Sequence, residues 1–225
     1  METRGERVIR FIETFCRVPE GKFVGKPLKL EAFQRRFIIE TFDNPAGTRR
    51  AYLSIARKNG KSALLAAIVM AFVVGPEKKL NAQVISGGRS RDQAALVFKL
   101  ASKMCMLNPA LAGRVKIIPS SKTIIGIVAN TEYRAISAEA GTAHGLSPLF
   151  AILDEVGQVR GPQDDFIEAI ETAQGAYDAP ILIAISTQAA SDADLFSIWL
   201  DDAERASDPT IVSHVYAAPK DCDLD

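Results

Sequence analysis

Alternation predicts the fold class: short apolar runs rich in β-branched residues take turns with longer stretches of helical periodicity, the signature of an α/β chain with a mainly parallel sheet flanked by helices. Two further observations sharpen it. A Gly-Lys-Ser triplet, Gly60-Lys61-Ser62, follows a strand-like run and opens an apolar helix, and a second apolar run, 149–155, ends in Asp154-Glu155.

Val8, Ile9, Ile12, Phe15 and Cys16 recur at helical spacing, as do Leu30, Phe33, Phe37 and Ile38, with a stretch rich in glycine and proline (19–27) between them. Two amphipathic helices follow from this. The βα units then begin: strand 52–56, helix 62–74, strand 82–86, helix 91–105. Runs 114–120, 123–130 and 132–137 are closely spaced strands, either an antiparallel insertion or a pair feeding the sheet. Strand 149–155, a helix near 163–174, strand 180–187, helix 192–206 and strand 210–218 complete the alternation. No internal repeat or low-complexity segment interrupts it.

The 225 residues, 48% of them hydrophobic, suffice for one large core and are expected to form a single domain. Twenty-seven basic residues balance twenty-seven acidic ones, so no global positive field drives nucleic-acid binding, and DNA would need a local patch. Arg89-Ser90-Arg91, opening a helix, is one candidate. Cys16, Cys105 and Cys222 are far apart, odd in number and form no C-x-x-C pair, which argues against a disulfide framework or zinc site and fits a reduced cytosol. No run resembles a signal peptide or a membrane span.

The triplet stands where a phosphate loop would. A helix start offers backbone N–H groups and the positive end of its dipole to an anion; Lys61 adds a point charge and Ser62 a hydroxyl for Mg²⁺. In the alternative, Lys61 is solvated and Ser62 caps the helix. The G-x-x-x-x-G-K-[ST] pattern asks for glycine five positions before Gly60, where Ile55 stands, so the pattern is broken at its first position. Asp154 and Glu155 at the carboxyl end of a strand suit two roles, holding Mg²⁺ and polarising an attacking water.

The loop R-K-N-G-K-S, an upstream Leu30-x-x-Phe33-Gln34, the apolar strand ending in Asp-Glu, and a later Ile185-Ser186-Thr187-Gln188 together resemble the large terminase subunit of tailed bacteriophages, in order and over nearly the whole chain. The resemblance implies a P-loop NTPase of RecA-like (ASCE) type whose first loop glycine is dispensable. It implies that Mg²⁺-ATP hydrolysis powers translocation of double-stranded DNA into a capsid in the cytoplasm of the infected host. Under it, Arg57, Lys58, Asn59, Gly60, Lys61, Ser62 and Ala63 line the phosphates, with Arg57 placed to stabilise transition-state charge. Lys58 read alone is a solvated loop charge. Asp154 with Ser62 holds the metal, Glu155 orients water, Gln34 reads the adenine edge, and Ser186 and Thr187 sense the γ-phosphate. Gln34 could equally sit on a wet helix face, and Ser186 and Thr187 could cap the next helix.

The partners implied are double-stranded DNA, a capsid portal protein, the small terminase subunit and further copies in a ring, with a monomer as the alternative for an isolated domain; no membrane is implied. An arginine from a neighbouring subunit is expected near 137–148, but that loop offers His144, flanked by Arg134 and Arg160, and none is assigned. A nuclease domain with clustered carboxylates is expected to be absent from these 225 residues. Asp201-Asp202 and the tail acids Asp221, Asp223 and Asp225 read as solvated charges. A helicase-like ATPase and a nucleotide-gated assembly module without useful hydrolysis are the competing functions; the first would show a second loop-plus-acid set, which the sequence lacks.

Overall fold

The apolar runs assemble into one eight-stranded sheet in a computed structural model that describes residues 1–140 and 145–216. In chain order the strands are β1 (Arg50–Ile55), β2 (Gln83–Gly88), β3 (Val115–Ile118), β4 (Thr123–Gly126), β5 (Thr131–Ser137), β6 (Pro148–Asp154), β7 (Ile181–Ser186) and β8 (Ile211–Tyr216). The helices are α1 (Arg4–Phe15), α2 (Ala32–Phe42), α3 (Lys61–Val73), α4 (Arg91–Met106), α5 (Pro109–Ala112), α6 (Asp165–Ala173) and α7 (Leu195–Arg205).

The spatial order is β3-β4-β5-β2-β6-β7-β1-β8. The six strands from β5 to β8 pair in parallel, while β3 and β4 pair antiparallel to their neighbours. Both sequence readings of 114–137 are therefore partly right: it is an antiparallel meander whose last strand, β5, joins the parallel sheet.

Strands in the middle of a parallel sheet are covered on both faces, which is why β7 is buried at every residue and β6 at every residue but its last. Alternate side chains sort into two cores. Leu53, Val84, Ile152 and Ile183 face α1 to α4; Tyr52, Ile85, Ala151, Leu153 and Ala184 face α6 and α7. Helix α3 carries no polar stripe, and every residue from Leu64 to Val73 is buried, as expected of a helix wedged between a sheet and other helices. Phe72 near its end stacks on Phe150 of β6, centroids 3.9 Å apart, and touches Phe42 of α2. On the opposite face Tyr52 stacks on Trp199 of α7 at 5.2 Å.

Three boundaries differ from the sequence reading. The Gly126–Thr131 pair ends the β4–β5 ladder, so residues 127–130 form the turn, leaving Ile127 and Val128 exposed instead of continuing the strand. Helix α7 begins at Leu195, not 192, because Asp194 stands in extended conformation and accepts from the backbone N–H groups of Gly161 and Ser191. The one-turn α5, started by Asn108 and Pro109, is too short to leave a periodic signal. Strand 210–218 is described as far as Tyr216.

Cys16 and Cys105 are free and buried, and burial pushes both thiols up to about 12. At pH 8 in the native protein both thiols are therefore expected to resist alkylation and to react only on unfolding, read peptide by peptide by mass spectrometry; prompt native labelling would contradict the packing. Truncating the stacked ring, Phe72→Ala, is expected to cost about 3–5 kcal/mol of stability, measured by urea titration.

Candidate functional site

Parallel pairing sets the site. Leu53 of β1 lies opposite Ile185 of β7, and Ile185 lies opposite Asp154 of β6, so one row across three strands brings the loop after β1 and the acidic end of β6 to the same edge. Only β7 separates them.

The loop after β1 turns sharply. Lys58 (φ 66°) and Gly60 (φ 73°) both adopt left-handed backbone, and Gly60 is the N-cap of α3 without a side chain to cap it. The first amides of α3 therefore have no side-chain acceptor, which is the arrangement that takes an anion. Lys61 is buried and its Nζ donates to the Ala56 carbonyl at 3.1 Å, folded back over its own loop. Ser62 Oγ donates to Asp154 Oδ2 at 3.1 Å, across 92 residues of sequence. The bland alternatives for these two residues fail: Lys61 is not solvated, and Ser62 does not cap the helix.

Asp154 has one satisfied oxygen and one that is not. Its Oδ1 is buried without a hydrogen-bond partner. Burial pushes its carboxyl up to about 6, with Glu155 adding to the rise and the Ser62 hydrogen bond and Lys61 opposing it. An unpartnered buried carboxylate oxygen beside a serine hydroxyl is the donor set that a hydrated Mg²⁺ fits, since hard cations take oxygen ligands and keep several waters.

Glu155 sits in left-handed conformation (φ 64°), unusual for a residue with a side chain and held there from two sides. Its N–H donates to the Ile185 carbonyl at 3.0 Å, and two residues later the Gly157 N–H donates to Ser186 Oγ at 2.8 Å. A Cβ on Gly157 would lie 2.3 Å from the Thr187 carbonyl oxygen, so only glycine fits. The end of β7 thus braces the turn that carries Glu155. Ser186 is fully buried in this bracing, and the N-cap of α7 is Asp194, so neither Ser186 nor Thr187 caps the next helix.

Gln34 is buried at 8% exposure, not on a wet face. Its Oε1 accepts from the Glu31 N–H at 3.0 Å and its Nε2 reaches the Asn59 carbonyl at 3.5 Å, tying α2 to the loop. Asn59 Nδ2 donates to the carbonyls of Ala56 and Arg57 and closes the loop on itself. Arg57 and Lys58 are exposed, and Ala63 is half-buried in the first turn of α3. Arg160 pairs with Asp194 at 3.0 Å, while Arg134 lies exposed on β5. His144, Cys222 and the tail acids Asp221, Asp223 and Asp225 lie outside the described residues. Asp201 and Asp202 are exposed on α7, Asp201 pairing with Arg205, and no cluster of three or more metal-ligating side chains occurs among the described residues.

Sequence reasoning missed Gly157, Gln158 and Asp194. For Gly157 a signal existed in the run Asp154-Glu155-Val156-Gly157, a glycine just past an acidic strand end where backbone must cross backbone. Gln158, whose amide donates to the Glu155 carboxylate, left no such signal.

A parallel sheet with an uncapped helix start on one strand tip and a serine-bound carboxylate two strands over defines a P-loop nucleotide site of the RecA-like kind. The family model "Terminase large subunit, ATPase domain" matches residues 44–202. The chain is 64% identical over 222 residues to the large terminase subunit of Enterobacteria phage HK97, covering 99% of this chain and 44% of that protein. The crystal structure of the HK97 bacteriophage large terminase superposes with a TM-score of 0.93 at 62% identity, over 99% of this chain and 46% of that one. The Thermus phage P74-26 large terminase ATPase domain, 20% identical, shares the fold at a TM-score of 0.67, with 88% and 85% of the two chains covered. The chain belongs to the terminase large subunit ATPase domain family, which implies nucleotide binding, and spans under half the length of its HK97 relative. Among the described residues no helix is long and apolar enough to cross a membrane.

Replacing Gly157 by alanine is expected to cost about 1–3 kcal/mol, because its methyl must push the end of β7 away from the Glu155 turn. Thermal melts of G157A beside the parent check it; unchanged stability would mean that the turn is not held as described.

Proposed function

We propose that this chain hydrolyses Mg²⁺-ATP and that, within the larger terminase subunit, this hydrolysis drives double-stranded DNA into a capsid in the cytoplasm of the infected cell. The observation that carries the proposal is the Ser62–Asp154 hydrogen bond with the orphaned Asp154 Oδ1 beside it: a phosphate loop joined to an acidic strand end, with one carboxylate oxygen to spare.

In this reading the amides of Gly60 to Ala63 and the loop residues Arg57, Lys58 and Asn59 surround the phosphates. Lys61 exchanges the Ala56 carbonyl for a phosphate oxygen, gaining a charged partner for a neutral one. Ser62 and Asp154 would hold Mg²⁺, which when bound neutralises charge on the terminal phosphates. Glu155 accepts the proton of the water that attacks the γ-phosphorus as the bond to the ADP oxygen breaks. Arg57, exposed at the loop, is free to approach the phosphoryl oxygens that gain charge. Gln34 keeps an unused amide hydrogen and an unused lone pair, which suit the adenine edge. Ser186 and Thr187, at the brace behind Glu155, would transmit the state of the γ-phosphate to the segment before α7. Double-stranded DNA, portal protein, small terminase subunit and further copies of the chain are the partners proposed for the assembled motor.

Glu155→Gln is expected to lower kcat by about 10²–10⁴, the usual worth of a general base, while ATP still binds. Phosphate release and binding of a fluorescent ATP analogue check the two halves separately. Lys61→Ala is expected to weaken the analogue's binding as well. Turnover surviving in E155Q would remove Glu155 from its role.

A further inference from the structure

The carboxylate of Glu155 does not hang free. Its Oε2 accepts from the Gln158 side-chain amide, and Gln158 Oε1 in turn accepts from Gln93 Nε2 at 3.1 Å. Arg89 Nη1 donates to the Gln158 backbone carbonyl at 3.0 Å. Chemistry sets the direction of this chain: an ionised carboxylate only accepts, so Gln158 must turn its NH₂ to Glu155 and its oxygen to Gln93. Gln93 lies in the first turn of α4 and Arg89 directly follows β2. Strand β2 flanks β6 on one side, whereas the phosphate loop lies on the other, beyond β7. The anchors of Gln158 therefore belong to the side of β6 away from the phosphates.

We propose that Gln158 is a positioning residue that parks the Glu155 carboxylate toward β2 while no nucleotide is bound, so that hydrolysis requires its release. This rests on the assignment of Glu155 as the water-activating base. The backbone cannot supply the movement, since Glu155 is pinned in left-handed conformation by the Ile185 carbonyl and by the Gly157–Ser186 bond that follows. The half-exposed side chain is the part able to rotate between two partners. Gln158 is exposed, so water competes for its amide, and such a bond biases a two-position equilibrium by about threefold to tenfold. That restrains idle turnover and is weak enough for a bound triphosphate to overcome.

The test is steady-state ATP hydrolysis by the 225-residue chain, comparing parent, Q158A, Q93A, E155Q and the E155Q/Q158A double variant, each checked by thermal melt. Q158A is expected to raise kcat about threefold to tenfold with KM for ATP little changed. Q93A should raise it less, and the double variant should be as silent as E155Q, because Gln158 acts only through Glu155. A merely structural role would instead lower kcat and the melting temperature together. With E155Q silent, an unchanged or lowered kcat in folded Q158A overturns the proposal; should Q158A fail to fold, the direction of change in Q93A decides. Full turnover in E155Q would remove the underlying assignment and this proposal with it.

Discussion

A single hydrogen bond, from the Ser62 hydroxyl to the Asp154 carboxylate, is the contact on which the site depends. It joins two segments that the chain keeps 92 residues apart, and it can form only because β1 and β6 flank β7 in parallel register. Had β6 been placed at the far edge, beside β3, the loop would face no acid and the acid no loop. Crossover connections between parallel strands put helices on the faces and leave the carboxyl ends of all the strands at one edge, so a ligand at that edge meets residues from distant parts of the sequence.

The remainder of the molecule holds that edge still. Helix α3 is buried on all sides, so the loop at its start is mounted on an element that cannot roll, and the Phe72–Phe150 stack joins this helix to the strand that carries Asp154. Strain is confined to the edge itself. Lys58 and Glu155, both with side chains, are held in left-handed backbone at the two halves of the site. Such positions cost of order 1–3 kcal/mol each and survive where neighbours over-determine them. For Glu155 the neighbours are the Ile185 carbonyl and the Ser186 hydroxyl, so β7 serves as a brace although it carries neither loop nor acid.

Much of this was legible in the residues. Alternating apolar runs gave the parallel sheet, Gly60-Lys61-Ser62 the phosphate loop despite Ile55 in the place of its first glycine, and Asp154-Glu155 the acidic tip. These are local patterns, and locality is what sequence reports well. The strand order is not local, nor is the burial of Gln34, which depends on α2 lying against a loop 25 residues away. Ser186 looked like a helix cap or a phosphate sensor because a serine at a strand end offers no hint that an N–H from another loop will claim its oxygen. Residues 127–130 misled for a related reason: Ile127 and Val128 are apolar, yet the ladder closes at Gly126 and leaves them in a turn.

The central claim is that a triphosphate and its ion lie between the start of α3 and the end of β6. A crystal structure of this chain with a non-hydrolysable ATP analogue and Mg²⁺ tests it most directly. The account predicts phosphates on the amides of residues 60–63, Lys61 turned away from the Ala56 carbonyl, and the ion held by Ser62 with Asp154 bound to it directly or through one water. An analogue seated elsewhere, or an ion without contact to either residue, would contradict it.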